Sequence, residues 1–162
     1  RMPGWCRDMK ATGLEGAETE EKDGYLYITK VWKKGEKVEL DFPMEIRTLQ
    51  ADSRVREDIG KVAFMRGPVV YCLEETDNGA DLHELLIRQN IEVQEEERDI
   101  QGTKVVGLAV SGLREKPVTA EKGSLYCAFE KPEREEVTLR YIPYYTWANR
   151  GENEMQVWTR VE

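Results

Sequence analysis

The sequence predicts an all-β protein: an antiparallel β-sandwich of jelly-roll type, with two sandwich halves sharing a long strand and little helix. Three observations carry this expectation. Short segments that alternate with period two, or are rich in β-branched and aromatic residues, recur along the chain, among them Tyr25–Trp32, Lys37–Phe42, Lys104–Val110, Val137–Ile142 and Met155–Val161. Turn-forming clusters such as Lys33-Lys34-Gly35-Glu36 and Glu75-Thr76-Asp77-Asn78-Gly79 separate them. No segment has the length and period of a helix that could cross over between parallel strands.

The stretch Lys61–Glu74 is the expected centre. It is short, with ten of its fourteen residues apolar (Gly67 included), and contains Val62, Val69, Val70 and Tyr71, which suits a buried strand better than a helix. Pro68 has no N–H for a ladder and Gly67 accepts unusual dihedrals, so a bulge or a change of sheet is expected at Arg66-Gly67-Pro68.

The remaining elements follow in order. Arg1–Trp5 reads as the tail of a strand bent by Pro3-Gly4, and Cys6–Asp23 as a polar connection. Tyr25–Trp32 and Lys37–Phe42 are expected to pair as a β-hairpin across the Lys33–Glu36 turn, with Val38, Leu40 and Phe42 inward. Pro43–Leu49 is extended, and Asp52–Gly60 is a loop or one helical turn. Leu82–Ile87 reads either as a short helix capped by Asp81 or as a strand. Ile91–Ile100 is an acidic edge strand, whose charge run Gln94–Asp99 discourages edge-to-edge aggregation. Lys104–Val110 is a strand and Gly112–Gly123 a loop. Leu125–Phe129 and Val137–Ile142 are strands around a Lys131-Pro132-Glu133 turn, and Met155–Val161 alternates again.

Composition excludes several functions. The 162 residues carry a net charge of −8, the wrong sign for a nucleic-acid partner, whose phosphates need a basic face. No run approaches the roughly 18 to 20 apolar residues of a membrane helix, and no signal peptide opens the chain. The opening Arg1-Met2-Pro3-Gly4-Trp5 reads like the middle of a domain, so a fragment of a longer protein is expected, with any targeting signal upstream. Free cysteines and the lack of a signal point to the cytoplasm. Cys6, Cys72 and Cys127 are odd in number and lack zinc-site spacing, as expected of buried thiols.

Catalytic signatures are absent from the sequence. His83 is the single histidine, without a partner for metal or triad chemistry. There is no Gly-x-Ser-x-Gly nucleophile motif and no glycine-rich phosphate loop. The acidic residues are too many for any pair to be singled out as a glycosidase acid and base. No catalytic residue, metal ligand or cofactor is therefore assigned. The candidate functional stretch is Ile142–Gly151, in which Tyr144, Tyr145 and Trp147 precede Asn149 and Arg150. Aromatic faces stack on the apolar C–H faces of sugars while amide and guanidinium groups bind hydroxyls or carboxylates. An oligosaccharide site or a protein interface would use these residues. The plain alternative is that the aromatics pack and Arg150 pins a loop.

Four ordered blocks resemble one family: Arg1–Trp5, Arg66–Glu74, Ile142–Gly151 and Glu154–Trp158. Together they are similar to the C-terminal region of glycoside hydrolase family 127, the β-L-arabinofuranosidase-like group. The resemblance spans nearly the whole chain. It implies residues 1–60 as the remainder of a first β-sandwich, 61–141 as a second, and 142–162 as a segment returning to pack on it. It implies that catalysis belongs to an (α/α)₆ barrel elsewhere in the same polypeptide, where a cysteine nucleophile sits in a zinc–thiolate cluster with a glutamate. No cysteine here matches those ligands. The expected role is accessory: bracing the barrel, mediating a homodimer, or both, with carbohydrate binding by residues 144–150 as the alternative. The Leu26/Leu40 sheet is expected to have an unpaired edge, or to pair with a second copy.

Overall fold

Where β-branched and aromatic residues recur, strands form. The computed structural model describes residues 1–162 and is all-β as expected, with thirteen strands, one four-residue helix and three short 3₁₀ turns. No helix is long and apolar enough to cross a membrane. The chain divides into two units, one of residues 1–47 with 66–68 and one of residues 48–65 with 69–162.

The first unit is two small antiparallel ladders. Strand β1 (Lys10–Thr12) pairs with β4 (Glu39–Asp41), and β2 (Glu18–Lys22) pairs with β3 (Tyr25–Thr29). The hairpin expected between Tyr25–Trp32 and Lys37–Phe42 is therefore incorrect. The turn that decides the pairing is Asp23-Gly24, where both residues take positive φ (51° and 76°). That is the backbone of a tight hairpin turn, and Asp-Gly is a strong sequence signal for it. Glu18–Lys22 is entirely polar and all five of its residues are exposed, so no apolar alternation marks it as a strand. The alternation within β3 does hold, with Leu26 and Ile28 half-buried between exposed neighbours. Leu40 remains 47% exposed, so the inward face expected for Lys37–Phe42 is only partly formed. Trp5 and Phe42 lie 6.1 Å apart in a tilted ring contact, and Cys6 is buried.

The second unit holds most of the core. Its centre is not one interrupted strand but two, β6 (Lys61–Arg66) and β7 (Val69–Glu74), which pair with each other. Gly67 at φ 55° followed by proline makes a two-residue turn with glycine at its first central position, as a type II′ hairpin requires. The expected bulge is thus a reversal of direction. The order β7–β11–β10–β8–β13–β6 closes on itself through the β6–β7 pairing. Its other members are β8 (Leu85–Ile87), β10 (Thr103–Glu115), β11 (Arg134–Pro143) and β13 (Thr159–Val161). Strand β5 (Ile46–Gln50) follows β6, β9 (Val93–Ile100) pairs with β10, and β12 (Met155–Gln156) pairs with β7. The β10–β11, β10–β8, β10–β9, β11–β7, β12–β7 and β13–β6 ladders are antiparallel, and β13 with β8 is parallel.

Both faces are covered where β7 pairs with the end of β11, at Tyr141–Pro143. Phe64 meets Tyr141 edge-on at 5.0 Å, and the Tyr141 hydroxyl donates to Thr159 Oγ1 at 2.9 Å in the buried interior. Neighbouring residues point the other way, and there Cys72, Ile100, Val105 and Ile142 cluster beneath Met155 and Val157. Two-sided burial explains why Val69–Leu73 is a continuous apolar run.

Three further expectations resolve locally. Leu82–Ile87 is both readings in succession, a 3₁₀ turn at Leu82–Glu84 and then β8. Acidic Val93–Ile100 is a strand on one edge of β10, as expected. Leu125–Phe129, however, is not a strand. It lies in the irregular connection 116–133 between β10 and β11, with Leu125, Tyr126 and Phe129 about nine-tenths exposed (91%, 88% and 90%). Its β propensity is outweighed because β10 runs on to Glu115 and takes β8 and β11 as partners at that end, leaving the segment no ladder.

Candidate functional site

The sequence-predicted stretch begins where β11 ends. Pro143 stops the strand, and Tyr144–Thr146 forms a single 3₁₀ turn. The buried Thr146 hydroxyl donates to the Pro143 carbonyl at 2.7 Å. Trp147 N–H donates to the Tyr144 carbonyl at 3.1 Å and Asn149 N–H to that of Thr146 at 3.3 Å. Ala148 takes a left-handed φ of 62°, which reverses the chain towards the second unit's interior. The loop is thereby coiled by its own backbone, and its aromatic rings face out. Tyr144, Tyr145 and Trp147 are 44%, 64% and 37% exposed. Tyr144 and Trp147 lie 6.1 Å apart with their rings inclined at 38°. Asn149 is exposed beside them.

Arg150 goes the other way. Its guanidinium donates to both oxygens of Asp77, from Nη1 at 3.0 Å and from Nη2 at 2.6 Å. It also donates to Glu74 Oε2, from Nε at 3.0 Å and from Nη2 in a still closer contact. Glu74 is fully buried at the end of β7. Its second oxygen accepts from Ala148 N–H at 3.2 Å and Asn153 Nδ2 at 3.0 Å. Asp77 lies on the short helix α1 (Glu75–Asn78) and also accepts from Arg98 Nη2 of β9 at 2.6 Å. Burial by itself would raise the Asp77 carboxyl, but the hydrogen bonds from Arg150 and Arg98 outweigh it and hold the group below the usual aspartate range. The same two carboxylates hold Arg150 firmly charged.

This geometry separates the five candidates. Tyr144, Tyr145, Trp147 and Asn149 form an outward surface, whereas Arg150 is the anchor that joins the loop to β7 and α1, where Asp77 also takes Arg98 of β9. Sequence reasoning missed Glu74 and Asp77 as its partners, and Arg98 as the second cation on Asp77. A signal existed for one of them: a carboxylate ending the buried run Tyr71-Cys72-Leu73-Glu74 must be paired or hydrogen-bonded. Nothing in the sequence indicated that the partner would lie 76 positions away.

The other titratable groups are dispersed. Cys6 and Cys72 are buried and Cys127 is exposed, and all three are free thiols. Burial, with the Glu74 carboxylate nearby, pushes the Cys72 thiol up to about 12. No three His, Cys, Asp or Glu side chains gather as a metal site. His83 is exposed, and its carbonyl accepts from Arg160 Nη2 at 2.9 Å.

One unit of two short ladders and another with a ring of strands and an arginine–carboxylate anchor of its own define the chain as all-β, and comparison with known proteins places it. Residues 46–160 match the glycoside hydrolase family 127 C-terminal domain, and residues 1–44 match the GH127 middle domain of beta-L-arabinofuranosidase. The chain belongs to glycoside hydrolase family 127. It is 35% identical to the non-reducing end beta-L-arabinofuranosidase of Bifidobacterium longum subsp. longum, over 99% of this chain and 25% of that protein. It is also similar to the crystal structure of a GH127 beta-L-arabinofuranosidase from Geobacillus stearothermophilus T6, with a TM-score of 0.79 and 37% identity, covering 100% of this chain and 26% of that one. A solved GH127 beta-arabinofuranosidase gives a TM-score of 0.74 at 31% identity, over 95% of this chain and 23% of that one. The chain thus spans about a quarter of the length of the curated relative it matches.

Proposed function

We propose that this chain is a non-catalytic C-terminal β-region of a family 127 arabinofuranosidase and braces that enzyme's catalytic barrel. The observation that carries the reading is the extent of the match: nearly all of this chain aligns with only 25% of the relative, and the matched parts are a middle and a C-terminal domain. Exposed apolar surface supports it. In the first unit, Tyr25, Tyr27 and Leu40 stay about half open on ladders of two strands each, which are marginal by themselves, and Trp32 is half open on the connection after β3. In the second, Leu125, Tyr126 and Phe129 stand in water on a long irregular connection. Unstructured connections of this length inside compact domains are usually functional or disordered, and exposed apolar groups suit contact with another part of a larger polypeptide. On this reading the zinc, the cysteine nucleophile and the glutamate belong to the barrel.

Carbohydrate binding by Tyr144, Tyr145 and Trp147 draws support from their exposure, but Arg150 is already committed to Glu74 and Asp77 and is not free for a ligand.

The test compares the 162-residue chain with the longer family polypeptide that carries the barrel, on an aryl β-L-arabinofuranoside with zinc and thiol present. The longer polypeptide is expected to hydrolyse it and the 162-residue chain to be inert. Amide exchange at Ser124–Phe129 should be slower in the longer polypeptide. Activity in the short chain, or equal exchange in both, overturns the proposal.

A further inference from the structure

A second concave site lies apart from the 144–150 loop, built where the end of the chain returns to the sheet. Thr159 pairs with Val62 and Arg160 with Lys61 in the β13–β6 ladder. Thr159 and Val62 are buried, so by strand alternation Arg160 and Lys61 stand side by side on the outer face. The bend Val157-Trp158 connects β12 to β13 above them, and the 3₁₀ turn Arg56–Asp58 brings Asp58 alongside. The result is a cleft of about 640 Å³ lined by Asp58, Lys61, His83, Gln156, Trp158 and Arg160, with Met155 and Val157 contributing apolar wall. That volume lies within the range of small-molecule sites.

The chemistry of the lining selects a ligand class. Trp158 is half-buried and brings an indole to the lining. Arg160 is held in place by Glu115 Oε2 at 2.9 Å and the His83 carbonyl at 2.9 Å, so its charge is already matched. Asp58, Lys61 and Gln156 make no side-chain hydrogen bond or ion pair within the chain. They present an acceptor carboxylate, a donor ammonium and an amide that does both. The two free charges are opposite, so the cleft favours neither anions nor cations. A ring with apolar C–H faces and hydroxyls around its rim satisfies the indole and the polar groups together.

We propose that this cleft binds a neutral oligosaccharide, with Trp158 as the stacking platform and Asp58, Lys61 and Gln156 hydrogen-bonding its hydroxyls. The site is independent of the bracing role and differs from the Tyr144–Arg150 stretch.

The test titrates the 162-residue chain with arabino-oligosaccharides and xylo-oligosaccharides, read by tryptophan fluorescence and amide chemical shifts. Saturable binding of at least one series is expected near the millimolar range, with shifts at Lys61, Gln156 and Trp158. Trp158→Ala should weaken it about three- to tenfold, the span expected for one stacking contact. Gln156→Ala, an edge-strand change that leaves the core intact, should weaken it too and guards against misfolding of the tryptophan variant. Tyr144→Ala with Tyr145→Ala should leave the affinity unchanged. No saturation by about 20 mM, or binding lost in the tyrosine variant and kept in the Gln156 variant, overturns the proposal.

Discussion

Replacing Arg150 with alanine tests whether the ion-pair anchor holds the 144–154 loop on the second unit. Glu74 is fully buried and Asp77 nearly so, their side chains 0% and 8% exposed, while that of Arg150 is 17% exposed. Removing the guanidinium leaves Asp77 with Arg98 but leaves Glu74 with only Ala148 N–H and Asn153 as donors. Breaking a buried pair from one side costs about 3–5 kcal/mol. The surviving donors and the partial exposure of Arg150 place this case at the lower end, about 3 kcal/mol. For a chain of this size that lowers the Tm by roughly 10 °C. Urea unfolding followed by tryptophan fluorescence at neutral pH measures it. The double variant Glu74→Met with Arg150→Met should lose less than Arg150→Ala, because it removes the buried charge together with its partner. A loss below about 1 kcal/mol for Arg150→Ala would refute the anchor, as would strict additivity of the two single changes.

Three further outcomes follow from the same structure. Because the folded Asp77 carboxyl is held below its ordinary value, its contribution is present above the unfolded pKa of about 4 and is lost as pH falls towards the folded value; Asp77→Asn should flatten that acid limb in urea midpoints taken between neutral and acid pH. Gly67→Ala should cost about 2 kcal/mol, since φ is positive there and the new Cβ would meet the Met44 sulfur; an unchanged urea midpoint would contradict the hairpin assignment. A thiol-specific chromogenic reagent should modify Cys127 rapidly in the native chain, while Cys72, buried and raised to about 12, reacts only on unfolding.

Much of the strand content was legible because side-chain alternation is a local property. Glu39–Asp41, Lys104–Val110, Val137–Ile142 and Thr159–Val161 all fall in segments that alternate or are rich in β-formers, although β10 runs on to Glu115 through the start of the loop expected at Gly112–Gly123. Pairing was less legible. Glu18–Lys22 has no apolar face to announce a strand, yet the Asp23-Gly24 turn folds it onto Tyr25–Thr29. Gly67-Pro68 resembled an interruption because a proline is usually read as a breaker; in a two-residue turn it sits where no ladder N–H is required. Leu125–Phe129 carried the composition of a strand, but composition cannot show that the neighbouring strand edges are already taken.

The candidate site divides in the same way. Its aromatic content and its family resemblance were in the residues themselves, since four ordered blocks and the run holding Tyr144, Tyr145 and Trp147 need no partner to be recognised; that these rings are exposed was decided by the structure. That Arg150 serves as an anchor was decided by tertiary structure, because Glu74, Asp77 and Arg98 arrive from three other elements. Tertiary structure also formed the Trp158 cleft, from a 3₁₀ turn near residue 57, strand β6 and the chain's last strands. The sequence alone determined the all-β class, because backbone propensity and alternation act within a few residues. Which charges are buried and which remain free depends on contacts between residues tens of positions apart, and only the closed ring of strands settles that.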